Sequence, residues 1–307
     1  MIMNKTIILI LMLFVSFSIC NSQTAEDYFE QGSIEQDNKN YEKSIDLFTK
    51  AIKLDSKYAD AYINRGVSYM YISLFEDAIS DLSNAINIDN NYVDAFLFRG
   101  IAYDSLKNNL KAIWDFSKAI ELDPESGVAY FLRGNKYYEN DNYSEAIKDF
   151  TNAIKYDPDL TEIYENRAIA FYYVEKYSES ILDFNKAINL NPDEINYCFR
   201  GLAYSQLKEY NNAIADYNKA IEIDSSLYYV YFSRGLAYFY LKKLTESLND
   251  FSKSIELNRE DAASYYRRGL VYFYLDNCLN AKKDWEIAVE LDPENESIIK
   301  EYLEKCK

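Results

Sequence analysis

Arginine and aspartate recur through the sequence at one fixed spacing, and they are its most regular reactive side chains. In seven places an aspartate follows an arginine by 16 residues. The arginines are Arg65, Arg99, Arg133, Arg167, Arg200, Arg234 and Arg268, and the aspartates are Asp81, Asp115, Asp149, Asp183, Asp216, Asp250 and Asp284. We predict that they form ion pairs, within one structural unit or with its neighbour, which mainly fix orientation. The alternative function is a row of arginines that binds an anionic ligand.

Side chains that support catalysis are scarce. The sequence has no histidine, which excludes imidazole catalysis and histidine-ligated zinc, and its four cysteines form no CxxC pair. No nucleophile has a neighbouring base, and no glycine-rich loop follows a strand pattern. We therefore predict that the protein is not an enzyme and has no cofactor and no metal.

The charge of the chain restricts its partners. Fifty acidic and 33 basic residues give a net charge of -17, which repels nucleic-acid phosphates and anionic lipid headgroups. Partners are therefore predicted to be other proteins and not nucleic acid. Membrane association is expected only through the N-terminal segment.

The first 22 residues have the pattern of an export signal. Lys5 supplies a positive charge, an apolar run extends from Thr6 to Ile19, and a polar stretch follows. As a helix this run would rise about 21 Å, less than the roughly 30 Å of a bilayer core, which argues against a permanent transmembrane anchor. Cleavage after residue 20 or 22 is compatible with the sequence.

Cys20 allows a second interpretation of this segment. A lipoprotein signal ends in a cysteine that is acylated, although Phe17 and Ile19 match such signals poorly. The segment 1–22 is thus either a cleaved signal or a lipoprotein-type signal with lipidation at Cys20.

The elements that must position the charged pairs repeat with a period of 34 residues. Glycines mark the period at Gly32, Gly66, Gly100, Gly134, Gly201, Gly235 and Gly269, with Ala168 in the remaining place and one step of 33 residues. Counting the glycine as position 8 gives eight repeats. They span residues 25–58, 59–92, 93–126, 127–160, 161–193, 194–227, 228–261 and 262–295.

Each repeat is predicted to contain two helices joined by a short polar turn. Apolar residues recur at helical spacing in both halves, and all four prolines fall at position 32, where the second helix ends. The small residue at position 8 and an alanine at position 20 allow the two helices to approach closely. Aromatic residues at positions 4 and 24 are assigned to the core.

These positions resemble the tetratricopeptide repeat family, over residues 25–295. The shared features are an aromatic residue at positions 4 and 24, glycine or alanine at 8, tyrosine at 11, alanine at 20 and 27 and proline at 32, with departures such as Ser254 for alanine and Asn90 for proline. The resemblance implies an all-α fold, a right-handed superhelical solenoid of eight helix-turn-helix units. Residues 296–307 are predicted to form a capping helix with one apolar face.

The same resemblance implies a binding groove along the first helices of the repeats. In the family this groove holds a peptide or a partner's helix through positions 2, 5, 9, 12 and 13. The candidate residues here are Ile63, Met70, Tyr71, Phe131, Tyr138, Tyr172, Tyr173, Phe232, Phe239, Tyr240, Tyr266, Phe273 and Tyr274. They are apolar and aromatic, which suits a partner segment with apolar anchors and some positive charge. The lysine and arginine set that clamps a C-terminal carboxylate in chaperone-binding members is absent.

Three hypotheses for the function remain open. The protein is an exported interaction scaffold of the cell envelope, a lipid-anchored envelope assembly factor, or a cytosolic-type adaptor tethered by an uncleaved signal. The first is the principal prediction, with a periplasmic or envelope-associated location.

After removal of the signal, Cys198, Cys278 and Cys306 remain. Cys278 begins a predicted second helix and Cys306 lies near the end of the capping helix, so that both can face the same edge. A disulfide between them is one hypothesis, and ordinary packing of small residues is the other.

Overall fold

The computed structural model describes residues 23–158 and 161–306, and all regular structure in these ranges is helical. The predicted export signal, including Cys20, lies outside the described residues. Among the helices of the described ranges, none is long and apolar enough to cross a bilayer.

Seventeen α-helices follow one another in the described ranges. They are α1 (Ala25–Asp37), α2 (Tyr41–Leu54), α3 (Ala59–Tyr71), α4 (Phe75–Ile88), α5 (Val93–Ser105), α6 (Asn109–Leu122), α7 (Gly127–Glu139), α8 (Tyr143–Tyr156), α9 (Thr161–Tyr173), α10 (Tyr177–Leu190), α11 (Glu194–Gln206), α12 (Tyr210–Ile223), α13 (Tyr228–Tyr240), α14 (Leu244–Leu257), α15 (Ala262–Tyr274), α16 (Cys278–Leu291) and α17 (Glu296–Lys305). A 3-10 turn, Pro293–Asn295, precedes α17. In each repeat the odd-numbered helix is called helix A and the even-numbered helix is called helix B.

The contacts divide the chain into two units, Met1–Lys136 and Tyr137–Lys307. In unit 1, α1 packs on α2, α3 on α4 and α5 on α6. In unit 2 the same pairing joins α9 to α10, α11 to α12, α13 to α14 and α15 to α16, and each helix B also packs on the following helix A. The predicted all-α repeat fold is therefore confirmed.

The turn between helices A and B has the same backbone conformation in all eight repeats. Position 15 has a positive φ of 55–63° in each, at Lys39, Ser73, Lys107, Asp141, Glu175, Lys208, Lys242 and Asp276. In the first turn, Asn40 N–H donates to the Glu35 carbonyl and Lys39 N–H to the Gln36 carbonyl, which is a Schellman motif. No glycine occupies this position, although the conformation favours one. The tight turn places the end of helix A beside the start of helix B.

The glycine at position 8 makes room for the large side chain at position 24. A Cβ atom on Gly100 would lie 2.5 Å from the ring of Phe116, and one on Gly269 would lie 2.5 Å from the indole of Trp285. These rings are fully buried in the core. The close approach predicted at position 8 is therefore an approach of helix A to a ring of helix B, and not only of two backbones.

The predicted arginine–aspartate pairs form within repeats. In repeats 2, 3, 5, 6, 7 and 8 the arginine at position 7 of helix A and the aspartate at position 23 of helix B lie 2.6–2.8 Å apart. Nε and one Nη donate to the two carboxylate oxygens, as Arg234 does to Asp250. The aspartates are buried, which raises the pKa of Asp250 although the hydrogen bonds from Arg234 oppose that rise.

The third donor of these arginines joins successive repeats. The remaining Nη of Arg65 donates to Thr49 Oγ1 of repeat 1, and that of Arg234 donates to Asn218 Oδ1 of repeat 6. In both cases the acceptor is at position 25 of the preceding helix B. Three donors of each of these guanidinium groups thus serve protein acceptors, which is the structural role predicted for the arginines.

A disulfide fastens the last helix to repeat 8. Cys278 and Cys306 are bonded with their Cα atoms 5.5 Å apart, so the hypothesis of a bridge is confirmed. Ile299 is buried, and the Tyr302 ring centroid lies 5.8 Å from that of Trp285. Helix α17 thus covers the apolar face of α16. Among the residues that the structure describes, Cys198 has no disulfide partner, and burial raises its pKa to about 12.

Candidate functional site

The two large aromatic residues at positions 12 and 13 end helix A in repeats 7 and 8 and form one cluster. The C-terminal cluster consists of Phe239, Tyr240, Phe273 and Tyr274. The Phe239 and Tyr274 ring centroids lie 5.6 Å apart, and Phe273 and Tyr274 are also 5.6 Å apart. A cavity of 460 Å³ opens between Phe239, Tyr240, Tyr274, Lys242 and Leu244. Of the sequence-predicted residues of these two repeats, Phe239, Tyr240 and Tyr274 are therefore brought together around a cavity, and Phe273 packs beside Tyr274.

Repeats 4 and 5 contribute a second cluster in unit 2. This tyrosine cluster consists of Tyr138, Tyr143, Tyr172, Tyr173 and Tyr177. Its ring centroids are 4.8–5.8 Å apart, from Tyr138 to Tyr143, Tyr143 to Tyr173, Tyr173 to Tyr172 and Tyr172 to Tyr177. The Tyr143 hydroxyl donates to Asp141 Oδ1 at 2.6 Å, and this bond raises the pKa of Tyr143 to about 12. Its phenol is therefore neutral at physiological pH.

One contact between aromatic rings recurs in three pairs of neighbouring repeats, and it was not predicted from the sequence. A tyrosine at position 13 stacks on a tyrosine at position 17 of the preceding repeat. The stacked pairs are Tyr71 on Tyr41, Tyr173 on Tyr143 and Tyr240 on Tyr210, with centroids 4.6–5.1 Å apart and planes within 14°. In the sequence, this contact is indicated by a tyrosine at position 17, directly after the polar turn. Position 17 therefore belongs to the candidate surface.

Exposure separates the predicted positions. The position 13 tyrosines Tyr71, Tyr173, Tyr240 and Tyr274 are 51–64% exposed. The position 12 residues Met70, Tyr138, Tyr172, Phe239 and Phe273 are half-buried. Surface for a ligand is thus concentrated at the C-terminal end of helix A.

Position 5 faces the core more than a ligand. Ile63 is only 7% exposed and belongs to the core of repeat 2. The Phe232 ring centroid lies 5.6 Å from that of buried Phe251, and the Tyr266 backbone carbonyl accepts a hydrogen bond from Trp285 Nε1. Of the predicted position 5 residues, Ile63 offers little surface, while Phe131, Phe232 and Tyr266 are half-buried.

Unit 1 has a smaller aromatic site of its own. A cavity of 300 Å³ lies between α3, α4 and α5, where Met70, Tyr71, Phe75 and Phe98 line it. Tyr71 is held in place by its stack on Tyr41. The structure describes no group of three cysteine, aspartate or glutamate side chains placed to hold a metal ion in residues 23–158 and 161–306.

Comparisons with solved structures place the chain among repeat proteins. The C-terminal part of a TPR repeat-containing protein from Cytophaga hutchinsonii aligns with a TM-score of 0.58 and 19% identity, over 89% of this chain and 98% of that part. A tetratricopeptide repeat protein from Parabacteroides merdae gives 0.54 and 20% over 80% and 98%. YrrB, described as a TPR protein with an unusual peptide-binding site, gives 0.51 and 22% over 58% and 92%. A comparison with curated proteins gave no match.

The sequence of the chain also matches models of one protein family in several places. Three models described as "Tetratricopeptide repeat" match residues 93–126, 116–148 and 197–227. A fourth, described as "TPR repeat", matches residues 25–71, 134–173 and 235–276. Together the matches extend over more than half of the chain, and their spacing agrees with the 34-residue lattice and the paired helices. The chain belongs to the tetratricopeptide repeat family.

Proposed function

We propose that this protein is a non-enzymatic scaffold that binds an extended or helical segment of a partner protein on the aromatic surface of unit 2. The observation that carries the proposal is the C-terminal cluster, where Phe239, Tyr240 and Tyr274 border a cavity of 460 Å³. Aromatic side chains of this kind are frequent hot spots because they bury a large area at a small cost in conformational entropy. The description of YrrB as a peptide-binding repeat protein supports this class of ligand.

A selection from a random dodecapeptide display library tests the proposal. The purified chain is expected to enrich specific peptides, whose dissociation constants are then measured by calorimetry. The double variant Phe239→Ala/Tyr274→Ala is expected to weaken their binding by at least about 30-fold, the effect of losing one aromatic hot spot.

The control removes exposed apolar side chains elsewhere in unit 2. Leu182→Ala/Leu279→Ala changes two exposed leucines of helices B, and it should leave the dissociation constant unchanged. Circular dichroism and thermal unfolding establish that both variants are folded. Equal binding by the wild type and the Phe239→Ala/Tyr274→Ala variant would contradict the proposal.

We further propose that the protein is exported to the cell envelope. The disulfide between Cys278 and Cys306 supports this, since such bonds persist mainly in oxidising compartments. The apolar run that ends before Cys20 supports it independently. The alternatives are a lipid-anchored assembly factor acylated at Cys20 and an adaptor tethered by an uncleaved signal.

Mass spectrometry of the protein purified from its own cells separates these three outcomes. For the exported scaffold we expect a chain that begins after residue 20 or residue 22. An acylated Cys20 would support the lipid-anchored form instead. An intact Met1 together with reduced Cys278 and Cys306 would rule out export.

A further inference from the structure

Repeat 6 interrupts the aromatic surface of unit 2. Positions 12 and 13 are Ser205 and Gln206 there, between the tyrosines of repeat 5 and the Phe239–Tyr240 pair of repeat 7. A pocket of 280 Å³ lies at this place, bordered by α11, α12 and α13. We call it the polar pocket. Tyr240 belongs both to its lining and to the C-terminal cluster, so the pocket is continuous with the proposed binding surface.

The floor of the polar pocket carries hydroxyl groups. Tyr217 stands at position 24, where Phe184 and Phe251 stand in the neighbouring repeats, and its ring is fully buried. Its hydroxyl lies 3.1 Å from Ser205 Oγ. This bond holds the partly exposed Ser205 hydroxyl in place above the buried phenol. Burial raises the pKa of Tyr217, so this phenol is a neutral donor at physiological pH.

The rim of the polar pocket carries a positive charge. Lys208 lines the pocket, no acidic side chain lines it, and no carboxylate of the described residues forms an ion pair with Lys208. The adjacent Glu209 carboxylate instead accepts a hydrogen bond from the Asn212 side-chain amide at 2.8 Å. In a chain with a net charge of -17, a cation without an acidic partner at a pocket favours an anionic ligand group.

The walls of the polar pocket are apolar. Leu202 and Leu236 line it together with the stacked rings of Tyr210 and Tyr240, whose centroids are 5.1 Å apart. Such walls suit the methylene groups of a side chain whose polar end reaches Ser205 and Lys208. A glutamate has this form, whereas an aspartate has one methylene fewer and a lysine has the wrong charge.

We propose that the polar pocket receives a glutamate side chain of the partner segment, with Lys208 and the Ser205 hydroxyl binding its carboxylate. This assignment rests on the proposed function, because the glutamate belongs to the segment that the two aromatic clusters bind. It gives the partner a sequence signature, an acidic residue flanked by apolar anchors.

Two variants test the pocket without straining the fold. Lys208 has a φ of 62°, so Lys208→Gly removes the charge at a position that favours glycine. Lys107→Gly is the matched control, since Lys107 has a φ of 59° in the same turn of repeat 3. Tyr217→Phe removes only the hydroxyl and introduces the residue found at position 24 of the neighbouring repeats.

The experiment uses amide-capped synthetic peptides from the display selection, so that no terminal carboxylate is present. We expect the selected peptides to share a glutamate, and its replacement by glutamine to raise the dissociation constant about tenfold. In Lys208→Gly this glutamate-to-glutamine difference should fall below about threefold, while Lys107→Gly retains it. Tyr217→Phe removes the hydroxyl that holds Ser205 in place, so it should reduce the difference as well.

The outcomes separate this inference from the proposed function. If selected peptides require Phe239 and Tyr274 but share no glutamate, the pocket assignment is wrong and the scaffold function stands. The same holds if Lys208→Gly preserves the full difference between the glutamate and glutamine peptides. If no peptide depends on Phe239 and Tyr274, both proposals are wrong.

Discussion

Replacing Arg234 by methionine is expected to lower the free energy of unfolding by about 3–5 kcal/mol, the usual cost of breaking a buried ion pair. Asp250, 8% exposed at its side chain, would lose both hydrogen bonds from the guanidinium, which is itself 17% exposed. Asn218 would lose its donor in the same change. Urea unfolding followed by circular dichroism measures the effect.

The double variant Arg234→Met/Asp250→Leu is expected to be more stable than Arg234→Met, because it leaves no buried carboxylate unpaired. Lys219→Ala is the control, since its pair with Glu222 is exposed to solvent and contributes little to stability. If Arg234→Met unfolds at the same urea concentration as the Lys219→Ala control, the arginine–aspartate pairs do not stabilise the repeats.

Loss of the disulfide is expected to destabilise repeat 8 and α17. The bond closes a sequence separation of 28 residues. The chain-entropy relation gives about 3–4 kcal/mol for a loop of this length. We therefore expect Cys278→Ser, or reduction of the wild type, to shift unfolding of the C-terminal end to lower urea. Trp285, which packs against Tyr302 of α17, reports the change by its fluorescence.

The measurement is made in a Trp114→Phe background, because Trp114 lies in unit 1 and would add its own signal. A reducing agent should have no further effect on the Cys278→Ser variant. Equal unfolding midpoints for oxidised and reduced wild type would show that α17 is held by packing alone.

Much of the fold could be predicted from the sequence because each repeat reports on the others. Every repeat has a small residue at position 8 and a large residue at position 24. This regularity predicts that the two helices of each repeat pack against each other. The sequence explained the small residue at position 8 only in part, because the ring of Phe116 or Trp285 fills the space beside the glycine. The turn at position 15 left no glycine signal, because Lys107 and Asp276 adopt positive φ there.

The candidate site was predicted less completely. Positions 12 and 13 were identified through the family resemblance, and exposure of Tyr240 and Tyr274 agrees with a surface role. Ile63 was included on the same grounds, yet its side chain is buried. The stacking of position 13 on position 17 was not predicted, because it joins tyrosines of different repeats.

The sequence by itself determined the 34-residue period, the two helices in each repeat and the chemistry of the arginine–aspartate pairs. These features depend on periodicity and on side chains of a single helix pair. Only the tertiary structure decided which tyrosines stack, where repeat 6 opens a polar pocket and that Cys278 meets Cys306. Those features join side chains of different elements. Their distances depend on how successive helices pack, which no local pattern specifies.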